Sequence, residues 1–165
     1  MLPNNKNIIM AAQQCIPLSD KKVIVIPTKT VPQGITAMLS FDPASAEDVI
    51  EAELSAAIES VHTAQITYAA RNSEFDGFAI REGDYLALLE GKLFDTDTSI
   101  GAVLEKLAAE ADSRGAEFVN LFYGSDVSEE DARKAGEQFG RLCPGAEINV
   151  VSGGQPVYYY IISME

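Results

Sequence analysis

Two strand-forming runs, residues 117–123 and 147–151, are separated by a helix-forming segment. That segment opens at Ser128-Glu129-Glu130-Asp131 and is broken by Pro144-Gly145. Neighbouring parallel strands need a helical crossover of this kind, because a tight hairpin joins only antiparallel ones. Upstream, Glu82-Gly83-Asp84 and Glu90-Gly91-Lys92 bracket Tyr85-Leu86-Ala87-Leu88-Leu89, the mark of an antiparallel meander. A chain holding both must build a mixed β-sheet with packed helices, an α/β (α+β layered) architecture.

The remaining elements follow from local signals. Pro3-Asn4-Asn5 offers a turn and an N-cap for a helix over 7–15, with Ile8, Ala11, Ala12 and Cys15 on one face and Pro17 as its stop. Lys22-Val23-Ile24-Val25-Ile26 reads as a strand buried on both faces. A loop then leads to a short helix over 35–41 and a longer one reaching His62, for which Ser45 is the expected N-cap. Residues 65–70 alternate as a half-buried strand, and Thr98 or Ser99 caps a helix that Gly115 ends. A strand over 157–162 closes the order. His62 reads as a solvent residue at a helix end, and Cys15 and Cys143 as buried small apolar residues.

Charge narrows the function classes. Twelve Lys and Arg against 25 Asp and Glu leave a formal net charge of −13 over 165 residues. Such an excess repels phosphate backbones and anionic lipid surfaces, so neither nucleic acid nor membrane insertion is expected. No apolar run approaches the ~20 residues that span a bilayer. The first six residues lack a signal-peptide layout, and two distant cysteines make no disulfide framework; the chain reads as cytoplasmic. One histidine and two cysteines supply no ordinary zinc set.

Polar residues gather in three loops. Thr28-Lys29-Thr30-Val31-Pro32-Gln33-Gly34 lies between a strand and a helix, where two hydroxyls, a cation and a helix N-terminus suit an anion or a partner. It does not match the phosphate loop Gly-x-x-x-x-Gly-Lys-Ser/Thr. Asn5, Lys6 and Asn7 repeat the same logic at the first helix start. Gly153-Gly154-Gln155-Pro156 joins two strands, with Gln155 as the polar side chain available to a cleft. A plain turn remains open at each. Asp95-Thr96-Asp97 invites Mg²⁺, but no third carboxylate or phosphate loop stands near, so a turn before the helix cap is expected. In Tyr158-Tyr159-Tyr160 a strand would put Tyr158 and Tyr160 on one face and Tyr159 on the other. No catalytic constellation emerges.

Leu2-Pro3-Asn4-Asn5-Lys6-Asn7-Ile8-Ile9, Val25-Ile26-Pro27-Thr28-Lys29-Thr30-Val31-Pro32-Gln33-Gly34 and Gly153-Gly154-Gln155-Pro156-Val157-Tyr158-Tyr159-Tyr160 together resemble one family. Phe122-Tyr123-Gly124-Ser125-Asp126-Val127 and Thr67-Tyr68-Ala69-Ala70-Arg71 also fit. The family is the C-terminal region of the ATP-binding subunit of bacterial fatty acid kinase, related to dihydroxyacetone kinases (the DAK phosphatase family). That region is itself similar to DegV proteins, whose two α/β lobes hold an acyl chain. The resemblance implies a remnant of a preceding lobe over 1–32 and a DegV-like second lobe over 33–165.

It also implies a role. The chain would be a non-catalytic domain that docks a DegV-type fatty-acid-binding protein, so that a separate kinase domain of the same parent phosphorylates the acyl carboxylate. The fragment would hold no cofactor; ATP and Mg²⁺ belong to that kinase domain. Asn5, Lys6, Asn7, Thr28, Lys29, Thr30, Gln33, Gly153, Gly154 and Gln155 would make the contacts. A second copy of the chain is a further expected partner. The alternative is a module that itself binds a fatty acid or small anion.

Overall fold

A computed structural model describes residues 1–75 and 77–165. The chain divides into two compact units, Met1–Val61 and His62–Glu165. The expected boundary at 32/33 falls inside the first. Ile26 before it and Ala37, Leu54 and Ile58 after it share one buried cluster, so both sides of that line are one packed body.

The first unit carries three helices, α1 (Lys6–Gln14), α2 (Val31–Leu39) and α3 (Glu47–Ala57), with short 3-10 turns at Ile16–Leu18 and Ile58–Ser60. Asn5 caps α1, its side chain accepting from Asn7 N–H. Only Ala12 of α1 is buried, so Ile8 and Cys15, expected inside, are exposed. α2 starts earlier than expected, because Thr30 caps it and Pro32 sits in its first turn, where a missing N–H leaves no helical bond unmade. Ser45 does not cap α3. It hydrogen-bonds to Asp42 instead, and Glu47 and Asp48 complement the helix start by charge.

The segment 22–26 is not a strand. Met1 N–H donates to Ile24 O and Ile26 N–H to Met1 O, the hydrogen-bond pattern of a single parallel bridge around Val25. The next rung would need an N–H from residue 3, which is proline. Thr28 N–H turns to Ile26 O instead, at 2.7 Å.

The second unit is a six-stranded sheet with two helices and a side hairpin. Its strands are β1 (His62–Tyr68), β4 (Tyr85–Leu89), β5 (Lys92–Asp97), β6 (Phe118–Tyr123), β7 (Glu147–Ser152) and β8 (Tyr160–Met164). β2 (Ser73–Phe75) and β3 (Phe78–Ile80) form the separate hairpin. The sheet order is β5-β4-β1-β8-β6-β7, antiparallel throughout except for β6 and β7, which run parallel. Their crossover is α5 (Glu129–Leu142), capped by Ser128; α4 (Ile100–Ser113) precedes β6. Glu90 and Gly91 both take positive φ, 52° and 74°, as a two-residue hairpin with the twist of its strands requires.

The core lies between the sheet and the helix pair. Ala64, Ile66, Ala87, Val119, Leu121 and Ile162 face Val103, Leu107, Ala132 and Phe139. Gly136 lets α5 lie low on β7, since a β-carbon there would meet Val150 Cγ2 at 2.5 Å. Cys143 is buried as expected, and burial, then the Asp112 charge, raises its thiol pKa.

Three local expectations change. Asp95-Thr96-Asp97 lies within β5 rather than in a turn: Asp95 pairs with Lys106 of α4, and Asp97 Oδ1 accepts from Ser99 N–H. Its side chain, not that of Ser99, satisfies the start of α4. His62 opens β1 instead of ending a helix, with Nδ1 3.5 Å from Glu90 Oε1. β8 begins at Tyr160, not Val157, so Tyr158 and Tyr159 precede the strand. No described helix is long and apolar enough to cross a membrane.

Candidate functional site

In the first unit the structure brings together two of the three polar motifs. Asn4 adopts the left-handed conformation (φ 55°) that asparagine tolerates, and its N–H donates to Thr28 Oγ1 at 2.9 Å. The Thr28 side chain is fully buried. The Asn4 amide oxygen, itself buried, packs over Gly34, where a β-carbon would lie 2.1 Å from it. Gly34 therefore provides space that no other residue leaves.

Gln33 is the second tie. Its Oε1 accepts from Lys29 N–H at 2.7 Å and its Nε2 donates to Ile58 O at 3.2 Å. Thr30 caps α2 through Gln33 N–H. Asn5, Lys6, Asn7 and Lys29 remain exposed. The first turns of α1 and α2 carry no acidic residue, whereas those of α3 and α5 do. Two helix starts and two lysines thus give an electropositive corner in a chain of net charge −13. Its chemistry is recognition of an anion or an acidic surface; it holds neither a nucleophile with a base nor an acid-base pair.

The third motif belongs to the second unit, at the carboxyl ends of the parallel pair β6 and β7, where such sheets receive ligands. Gln155 folds back rather than facing outward: its Nε2 donates to Phe122 O at 2.8 Å, and its backbone oxygen accepts from Ser125 N–H at 3.0 Å. The Gly153 and Gly154 N–H groups both point at Tyr123 O, at 2.9 and 3.1 Å, which leaves no open amide nest for an anion. Gly124, which sequence reasoning did not single out as a site residue, sits under this loop. A β-carbon there would lie 2.2 Å from Tyr158 O and 2.6 Å from Gln155 O. Its sequence signals were its place directly after a strand and within the motif Phe122-Tyr123-Gly124-Ser125-Asp126-Val127.

Each unit also holds a cavity. One in the first unit, of about 310 Å³, is lined chiefly by Leu2, Ile24, Ile26, Met38, Ile50 and Leu54, beside the Lys22–Glu47 ion pair. The hydrogen bond with Glu47 raises the Lys22 pKa. An open recess of about 300 Å³ in the second unit is polar, lined by Ala79, Arg81, Asp84, Thr96, Asp97 and Thr98. Among the described residues no three His, Cys, Asp or Glu groups could hold a metal ion.

The chain resembles longer proteins over its whole length. It is 37% identical to protein YloV of Bacillus subtilis and 31% identical to an uncharacterised protein of Staphylococcus haemolyticus. In each case all of this chain aligns to about 30% of the relative's length. The fold is that of DegV proteins. A DegV family protein from Corynebacterium glutamicum superposes with TM-score 0.65 at 15% identity, over 99% of this chain and 72% of that one. The Streptococcus pneumoniae fatty acid kinase B3 protein loaded with linoleic acid gives 0.62 at 11% identity, over 97% and 66%. DegV, a fatty acid binding protein from Bacillus subtilis, gives 0.60 at 16% identity, over 99% and 68%. Residues 1–165 match the family of C-terminal regions of FakA-like fatty acid kinase proteins, and the chain belongs to that family.

Proposed function

We propose that this chain is a non-catalytic docking domain of a fatty acid kinase. In this reading it holds a DegV-type fatty-acid-binding partner so that the kinase domain of a longer parent, with its ATP and Mg²⁺, phosphorylates the acyl carboxylate. The observation that carries the reading is the use made of the polar loops. Gln33 and Gln155 are bonded inward to backbone groups, which stiffens the loop tips and leaves Lys6, Asn7 and Lys29 outward. Rigid, solvent-facing polar tips lose little entropy on contact, a property of interfaces more than of reaction centres. Family membership and the DegV fold support the same reading.

Calorimetric titration of the folded chain against its cognate DegV-type protein tests this. Saturable binding weakened by Lys29→Glu is the expected result; no binding by a well-folded chain rejects the proposal.

The apolar cavity beside Ile24, Ile26 and Leu54 favours a second reading, direct binding of an acyl chain. Fatty acid found by mass spectrometry in the purified protein, and lost in Leu54→Trp, would establish it.

A further inference from the structure

All six tyrosines of the chain lie at one end of the six-stranded sheet, although the sequence spreads them from residue 68 to residue 160. Tyr68 and Tyr85 are register partners across β1 and β4, and Tyr123 and Tyr160 across β6 and β8. Tyr158 and Tyr159 lead into β8 between them. The Tyr159 ring meets Tyr85 edge-on at 5.3 Å and Tyr68 at 6.3 Å. Tyr68 nevertheless stays 45% exposed.

Beside these rings stands Val157, 54% exposed and at φ 73°. Tyr158 N–H donates to Pro156 O at 2.8 Å, closing the rarer γ-turn around it. A β-branched residue is strained at positive φ, where glycine or asparagine would sit freely. The turn is held all the same: Thr67 Oγ1 donates to Val157 O at 3.0 Å and Tyr159 N–H to Ile66 O at 2.9 Å. More than half of Val157 stays exposed, so burial within the chain offsets little of that strain.

The same end carries an acidic rim. Asp126, Glu129 and Glu130 follow β6, Glu130 paired with Lys134, and Asp97 ends β5, while Asp84 is buried with its carboxylate accepting from Arg81 N–H. Tyrosine supplies large rigid contact area at low entropic cost, which is why it concentrates at binding hot spots. A second copy would bring like charges face to face and is disfavoured.

We infer that this end of the sheet, where Tyr68 and the apolar knob Val157 are exposed beside the Asp126 and Glu129 carboxylates, docks a folded protein that presents an apolar pocket edged by lysine or arginine. The inference rests on the docking reading above and adds to the Lys6, Asn7 and Lys29 tips a second contact surface, on the second unit.

The test is calorimetric titration of the cognate DegV-type protein at low and high salt, with the wild-type chain, Val157→Gly, and the double variant Asp126→Lys/Glu129→Lys. Melting temperatures are measured alongside. Val157→Gly is expected to weaken binding at least tenfold while the melting temperature holds or rises, since glycine relieves the strained turn. The double variant is expected to weaken binding and flatten its salt dependence. Wild-type binding that both variants leave within twofold overturns this surface while docking stands elsewhere. No wild-type binding rejects the docking reading itself, and this surface with it. A concentration-dependent dimer dissolved by Val157→Gly would assign the surface to a second copy and overturn the inference.

Discussion

The backbone N–H of Asn4 donates to the buried hydroxyl of Thr28 at 2.9 Å, and this bond joins two loop motifs that lie far apart in sequence. Removing the hydroxyl while keeping the shape strands a part-buried donor. Thr28→Val is expected to destabilise the first unit by about 1–3 kcal/mol. Urea unfolding of the variant checks this; an unchanged midpoint would mean that water replaces the hydroxyl.

Gly124 supports the other loop from beneath. A β-carbon there would meet two backbone oxygens, at 2.2 and 2.6 Å, which unlike flexible side chains have nowhere to move. Gly124→Ala is expected to cost about 1–3 kcal/mol through backbone displacement. Amide exchange should rise at Gly153 and Gly154 and not in α4.

Phe139 of α5 is fully buried between helix and sheet. Phe139→Ala should destabilise the second unit by about 3–5 kcal/mol, a transfer loss plus a cavity. A thermal melt that moves the second unit's transition and leaves the first unit's in place would agree with the division at Val61 and His62.

Tyr160 makes stability sensitive to alkali. Burial, and then the Asp131 charge, pushes its phenol from 10.0 up to about 12. The unfolded phenol loses its proton near 10 and the folded one near 12. The Tyr160 contribution is therefore complete below pH 10 and declines as pH rises through 12. Tyr160→Phe should reduce the loss of stability across that window, read as melting temperature against pH.

Elements with their signals inside themselves were legible before the structure. The meander follows from Gly83 and Gly91, α5 from Ser128 and its acidic first turn, and the end of α4 from Gly115, each acting within a few residues of its own position. The segment 22–26 was not, because a strand needs a ladder partner and proline at position 3 withholds the next rung. Cys15 was misjudged since helical periodicity names a face without saying what covers it. Of the candidate contact residues, Asn5, Thr28, Lys29, Thr30, Gly153, Gly154 and Gln155 lie in loops, whereas Lys6 and Asn7 open α1 and Gln33 lies in the first turn of α2. That Gln33 and Gln155 bond inward depended on carbonyls elsewhere, at Ile58 and Phe122.

By itself the order of apolar runs and turn residues determined a mixed sheet with a helical crossover and a meander, since chain connectivity limits which strands can pair and in what sense. Only the tertiary structure decided that Tyr68, Tyr85, Tyr123 and Tyr160 would share one end of the sheet. Strand register places them, and register is set by which side chains the whole sheet must bury against α4 and α5.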